Sequence, residues 1–218
     1  MFFHILLKSI LKSKTALFSV CFLGFVALSL PVSAANQKIL VFGDSLSAAY
    51  GIPQSQGWAA LLQNKLHEEK LPYDVINASI SGETTSGGLT RIDAALKQIQ
   101  PQIVILELGA NDGLRGLPVK TTRENLAAML QKINKSGAKV LLIGMKMPPN
   151  YGAKYIAEFS ATYPQLAKTY QATLVPFMLE HVAAKPDLIQ LDGLHPNALA
   201  QPIILNNIWP ELKRLLKK

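Results

Sequence analysis

The chain has 218 residues, 49% of them apolar, and a formal net charge of +8. That length supports one α/β domain of ordinary size with a sizeable core. The basic surplus is too small to argue for nucleic-acid binding, no basic stripe is interleaved with aromatics, and a single cysteine excludes an intrachain disulfide framework.

Taken in chain order, the first segment reads as a targeting signal. Lys8, Lys12 and Lys14 precede an uncharged apolar run over residues 15–30, and Pro31-Val32-Ser33-Ala34 then supplies small residues for cleavage. That is the three-part pattern of a secretory signal peptide, and the run is shorter than the about 20 apolar residues a spanning helix wants. The expected division is a signal peptide over residues 1–34 and a single domain over 35–218, with cleavage after Ala34 or, alternatively, Ala35. Cys21 lies in "FSVC", which lacks the Leu-small-small-Cys pattern of a lipid-anchored chain. Removing this segment, with three lysines and no acidic residue, lowers the net charge from +8 to +5 and leaves no cysteine. The expected location is periplasmic or secreted.

Beyond it, short apolar runs at 39–42, 75–78, 103–108 and 140–144 read as buried strands, with a weaker fifth at 173–175. Helical spacing appears at 58–69, 89–98, 123–135, 153–170 and 198–216. Strands alternating with amphipathic helices imply right-handed crossovers and a parallel sheet covered on both faces. Ligands of such sheets bind outside the carboxyl ends of the strands. Polar clusters that do chemistry should therefore follow strands. Gly43-Asp44-Ser45, Ile80-Ser81-Gly82-Glu83 and Gly109-Ala110-Asn111-Asp112 follow the first three, and Asp192-Gly193-Leu194-His195-Pro196 opens the last helix.

A serine nucleophile needs a base, and the base needs an orienting partner. His67 and His181 sit in charged helical stretches and read as solvated. His195 differs, because Pro196 confines it and Asp192 lies three positions earlier across a glycine. A tight turn there sets carboxylate beside imidazole, leaving the other ring nitrogen for Ser45. Three donors are available for a developing oxyanion: the backbone N–H groups of Ser45 and Gly82 and the side-chain amide of Asn111. Each block taken alone also has a plainer reading. Gly-Asp-Ser ends a strand in a turn, "DGLHP" caps a helix, and "NDG" makes a β-turn. Asp44 reads as a turn acceptor. The G-x-S-x-G elbow is absent, "GETTSGG" lacks the lysine of a phosphate loop, and His67-Glu68 lacks the second histidine of a zinc helix. The sequons at Asn77 and Asn134 are formal matches, Asn77 being expected at a buried strand end.

The blocks "FGDSLS", "SISGETT", "GAND" and "DGLHP" together resemble the SGNH/GDSL hydrolase superfamily, with Ser45, Gly82, Asn111 and His195 at its four named positions. Further stretches, including "AAYGIP", "GWAALL", "NASISGETTSGGLTR", "ELGANDGLRG", "YPQLA" and "DGLHPNALAQP", look like its small exported esterases, variously called thioesterase I, arylesterase and lysophospholipase. The resemblance implies a flavodoxin-like three-layer α/β/α sandwich with a five-stranded parallel sheet. It also implies catalysis by Ser45, His195 and Asp192 without metal or other cofactor, and hydrolysis of acyl esters and thioesters. Ile80, Leu114, Met147, Pro148 and Tyr151, on loops after strands, are the candidate acyl-binding residues, joined by Leu117 and Met145. The expected partner is a small acyl ester, thioester or lysophospholipid, with no nucleic acid, a monomeric chain and weak association with a membrane surface. Two other readings stay open: a carbohydrate acetyl esterase of the same superfamily, and a non-catalytic lipid- or nucleotide-binding module.

Overall fold

Ile39, Leu40, Val41 and Phe42 in strand β1 (Gln37–Gly43) are all fully buried. A strand apolar on both faces is what the middle of a parallel sheet requires, because helices cover both sides. The computed structural model describes residues 35–216, so the signal peptide expected at 1–34 lies outside the described residues. Strands β3 (Ile103–Glu107) and β4 (Lys139–Ile143) share this two-sided burial, whereas β2 (Tyr73–Asn77) and β5 (Thr173–Val175) are only partly buried. All neighbours pair in parallel, in the order β2-β1-β3-β4-β5.

That order corrects the expectation for 75–78. Among the described residues β2 is an edge strand of the sheet, and Asn77 is exposed rather than buried. Its amide is nonetheless committed, donating to the Ser47 carbonyl at 2.8 Å.

Helix α1 (Trp58–Glu68) packs with the last helix α6 (Gln201–Leu215) on one face of the sheet. Helices α2 (Thr85–Ile99), α4 (Val119–Lys135) and α5 (Ala153–Tyr170) cover the other. Their buried positions recur three or four apart, as in Leu126, Met129, Leu130 and Ile133 of α4. Each such side chain contributes roughly 1.5–3 kcal/mol on burial. Among the described residues no helix is long and apolar enough to cross a membrane.

Several boundaries differ from the sequence reading; α4, for instance, begins at Val119, four residues before the expected 123. α2 starts four residues before its apolar periodicity, because the Thr84 hydroxyl caps it by accepting from Gly87 N–H. "NDG" forms a short helix, α3 (Ala110–Leu114), in place of the β-turn weighed as the plainer reading. The buried Asp112 carboxylate explains the last two, since it accepts from Thr85 N–H at 2.8 Å and from the Thr85 hydroxyl, tying α3 to the start of α2.

The chain runs outward from β1 to β2 and then returns to the opposite side of β1 to form β3. Between the carboxyl ends of β1 and β3 the strand order therefore reverses, which is where an open parallel sheet leaves a crevice for a ligand.

Candidate active site

At the end of β1 the chain turns sharply, with Ser47 and Ala48 N–H donating back to the Asp44 carbonyl. This single turn lifts Ser45 to the crevice while keeping it only 9% exposed. Gly43 is needed for a steric reason. A Cβ there would lie 2.5 Å from Glu107 Oε2 and 2.8 Å from the Ser47 hydroxyl. Its register partner on β3 is Glu107 itself.

The base arrives on the long segment between β5 and α6. Asp192 Oδ1 accepts the backbone N–H groups of Leu194 and His195 at 2.9 and 3.0 Å, folding Asp192–His195 into the expected tight turn. Asp192 Oδ2 lies 2.6 Å from His195 Nδ1, and His195 Nε2 lies 2.9 Å from Ser45 Oγ. A carboxylate can only accept, so Nδ1 carries the proton and Nε2 is free to accept from the serine hydroxyl. The His195 backbone N–H, then its ring, then Leu194 N–H hold the Asp192 carboxyl down at about 2. Gln190 fastens this segment to the nucleophile turn. Its side-chain amide donates to the Tyr50 carbonyl at 2.8 Å and to the Pro196 carbonyl at 2.9 Å, while its backbone N–H donates to the His195 carbonyl. The Tyr50 ring covers the imidazole, with centroids 4.5 Å apart.

Gly82 adopts a φ of +79°, a left-handed conformation that L side chains rarely take, and the space its missing Cβ would fill is open. Its loop is tied down by Ile80 N–H to the Gly43 carbonyl, by Arg91 to the Ala78 carbonyl and the Glu83 carboxylate, and by Arg115 to the Gly82 carbonyl. Neither Ser45 N–H nor Gly82 N–H has a partner among the described residues. Asn111 Nδ2 sits beside them, donating to Asp44 Oδ2 at 3.1 Å and to the Glu83 carbonyl at 3.0 Å. The arrangement can thus supply two unengaged backbone donors and one amide to an oxygen anion in front of Ser45.

Ser45, Gly82, Asn111 and His195 all border one cavity of about 790 Å³. Its apolar wall includes Leu114, Met145, Met147, Phe177, Leu179 and Ile189. Of the candidate acyl-binding residues, Leu114, Met145, Met147 and Pro148 line it, and Leu117 does not. Ile80 stands exposed beside it next to the lining Ser81, and Tyr151 stands behind it, its hydroxyl donating to the Leu114 carbonyl at 2.9 Å. Phe177, Leu179 and Ile189 were not singled out from the sequence, since they lie in an irregular stretch without periodicity or motif. His67 and His181 are exposed and are not among the residues that line the cavity. Among the described residues no three His, Cys, Asp or Glu side chains are grouped to hold a metal ion. The large apolar side chains that stand exposed among the described residues are Tyr50, Ile80, Leu117, Leu191, Leu194 and Leu199. Every one lies in a segment following a strand, at the edge of the sheet that carries Ser45.

Comparisons with known proteins identify the family. Residues 41–201 match the GDSL-like Lipase/Acylhydrolase family. Esterase TesA of Pseudomonas aeruginosa is 52% identical over 183 residues, covering 84% of this chain and 91% of the relative. Thioesterase 1/protease 1/lysophospholipase L1 of Escherichia coli K12 is 44% identical over 195 residues, covering 89% and 92%. The psychrotrophic esterase EstA from Pseudoalteromonas sp., in a structure inhibited by monoethylphosphonate, superposes with a TM-score of 0.79 at 45% identity, covering 82% of this chain and 98% of that one. The chain belongs to the GDSL-like lipase/acylhydrolase family and is a hydrolase built on the five-stranded SGNH fold.

Proposed function

We propose that the protein hydrolyses acyl esters and thioesters through an acyl-enzyme formed on Ser45. The observation that carries this reading is the unbroken hydrogen-bonded chain from Ser45 Oγ through His195 to Asp192. His195 Nε2 takes the hydroxyl proton as Oγ attacks the carbonyl carbon, and the oxygen anion is met by Ser45 N–H, Gly82 N–H and the Asn111 amide. His195 then gives the proton to the leaving alcohol or thiol as its bond to the acyl carbon breaks. Water, deprotonated by the same nitrogen, releases the acid and restores the serine. Asp192 fixes the tautomer and stabilises the imidazolium. Because Nε2 must be unprotonated to act, the rate falls at acid pH.

The apolar wall of the cavity favours an acyl chain over a sugar, so lysophospholipids and fatty or aryl esters are the proposed substrates. The cluster of exposed apolar side chains at this edge, with a small basic surplus, supports weak association with a membrane surface. The N-terminal pattern supports export to the periplasm or beyond.

Ser45→Ala tests the assignment. Turnover of a soluble p-nitrophenyl ester should fall by about a millionfold, and labelling by an organophosphonate should disappear while the thermal midpoint stays nearly unchanged. Labelling that persists in Ser45→Ala rules out Ser45 as the nucleophile. A series of p-nitrophenyl esters should show kcat/KM rising with acyl length, whereas a carbohydrate acetyl esterase would show its maximum at acetate.

A further inference from the structure

Directly beneath the nucleophile turn lies a carboxyl group that the mechanism above does not use. Glu107, the last residue of β3, is fully buried, and so is its neighbour Asp44. Glu107 Oε2 accepts from the Ser47 hydroxyl at 2.7 Å and from Asp44 N–H at 3.2 Å, and its side chain is close enough to hydrogen-bond the Asp44 carboxyl. Asp44 faces the other way as well, accepting from Leu46 N–H and from the Asn111 amide. Three positions of the Gly43–Ser47 turn besides Ser45 are therefore explained by one buried carboxyl. Gly43 leaves it room, while Asp44 and Ser47 bond to it.

Two carboxyl groups in contact and out of water cannot both be ionised without a cation to offset them. The titratable groups facing the pair are Tyr163 from α5 and, on the far side of Asp44, His195. No lysine or arginine is among them. One proton must then be held between the two acids. Geometry assigns it to Glu107. Each oxygen of Asp44 receives a donor, Leu46 N–H on one and the Asn111 amide on the other, which suits an anion, whereas both donors to Glu107 fall on Oε2 and Oε1 receives none. An ionised carboxylate with an orphaned oxygen in an apolar pocket is the costlier alternative. The directions of titration agree, since burial and the Asp44 charge push the Glu107 carboxyl well above the usual range, while burial raises Asp44 only to about 6.

We propose that Glu107 is a positioning residue for the hydrolysis: a neutral acid that donates to the Asp44 carboxylate, which in turn holds the Asn111 amide beside the unengaged Ser45 and Gly82 N–H groups. The proposal rests on the reading of Asn111 as an oxyanion donor. Both amide hydrogens of Asn111 have acceptors in the resting site, so the developing oxyanion must draw one of them to itself. A shared proton on Glu107 keeps the charge on Asp44 from binding that hydrogen too firmly.

The test begins with the protein at neutral pH. Infrared difference spectroscopy of wild type against Glu107→Gln should reveal the carbonyl stretch of a protonated carboxylic acid in wild type only. Its absence from wild type overturns the proposal. In turnover of a soluble p-nitrophenyl ester, Glu107→Gln, which keeps a neutral donor of the same shape, should retain kcat within about threefold. Glu107→Leu should lower kcat by about 100-fold, the effect of losing one oxyanion donor, with KM changed less than about twofold. Adding Glu107→Leu to Asn111→Ala should cost nothing further, because both act through one amide. Fully multiplicative losses, or a Glu107→Gln variant as impaired as Glu107→Leu, overturn the proposal. If Glu107→Leu does not fold, the spectrum and the Glu107→Gln kinetics still decide. An Asn111→Ala variant with full kcat would instead remove the oxyanion reading on which the proposal rests, and the infrared result would be unaffected.

Discussion

Asp192 receives three hydrogen bonds from one residue pair, two through its own turn and one from the imidazole it orients. A carboxyl held below its ordinary value stabilises the folded turn above the unfolded pKa of about 4 and loses that contribution only as pH falls through about 2. A fall in rate above pH of about 4 therefore does not originate at Asp192. Asp192→Asn keeps the shape but offers an amide where a carboxylate is needed, and the imidazole is free to take the wrong tautomer. The expected outcome is a drop in kcat of about 10⁴-fold, with little change in KM for a soluble ester. The pair was legible in the sequence because its geometry is local, within three positions and one glycine. Glu107 was not. In "IVILELG" it sits at the end of an apolar strand, and only the sheet register brings it under Gly43.

At the scale of elements, the site is assembled from loops that must be held in register with one another. Gln190 is the fastener between the two that matter most, joining the Tyr50 carbonyl of the nucleophile turn to the Pro196 carbonyl beside His195. Gln190→Ala removes both bonds without substituting Ser45, His195 or Asp192. A misplacement of about 1 Å costs up to about 100-fold in rate, so kcat should fall by about tenfold or more. KM should stay within about twofold, since the apolar wall of the cavity is untouched. Steady-state kinetics on a soluble ester checks the split, and an equal rise in KM would argue against the fastening role. The central strands and the spans of most helices were legible from periodicity. The early start of α2 and the helical form of α3 were not, because both depend on Asp112 reaching Thr85 across 27 positions.

Among the described residues, the exposed large apolar side chains are confined to one edge of the sheet, around the cavity that holds Ser45. Leu191 and Leu199 belong to this edge but do not line the cavity. Replacing both by Ser should leave turnover of a monomeric ester unchanged and lower turnover of micellar lysophospholipid by about fivefold, on the order of 1 kcal/mol of lost apolar burial. Equal rates for wild type and the double variant on micelles would dissociate this edge from any lipid surface. Here the sequence and the tertiary structure contributed different things. Alternating strands and helices, the three polar blocks after strands and the Asp192–His195 turn are local patterns, and local patterns fix the fold class and the candidate chemistry. The strand order, the half-buried edge at β2, the apolar wall from Phe177 to Ile189 and the buried carboxyl beneath the nucleophile depend on contacts between residues far apart in the chain. Those contacts form only when the whole sheet closes its register, so no stretch of sequence carries them by itself.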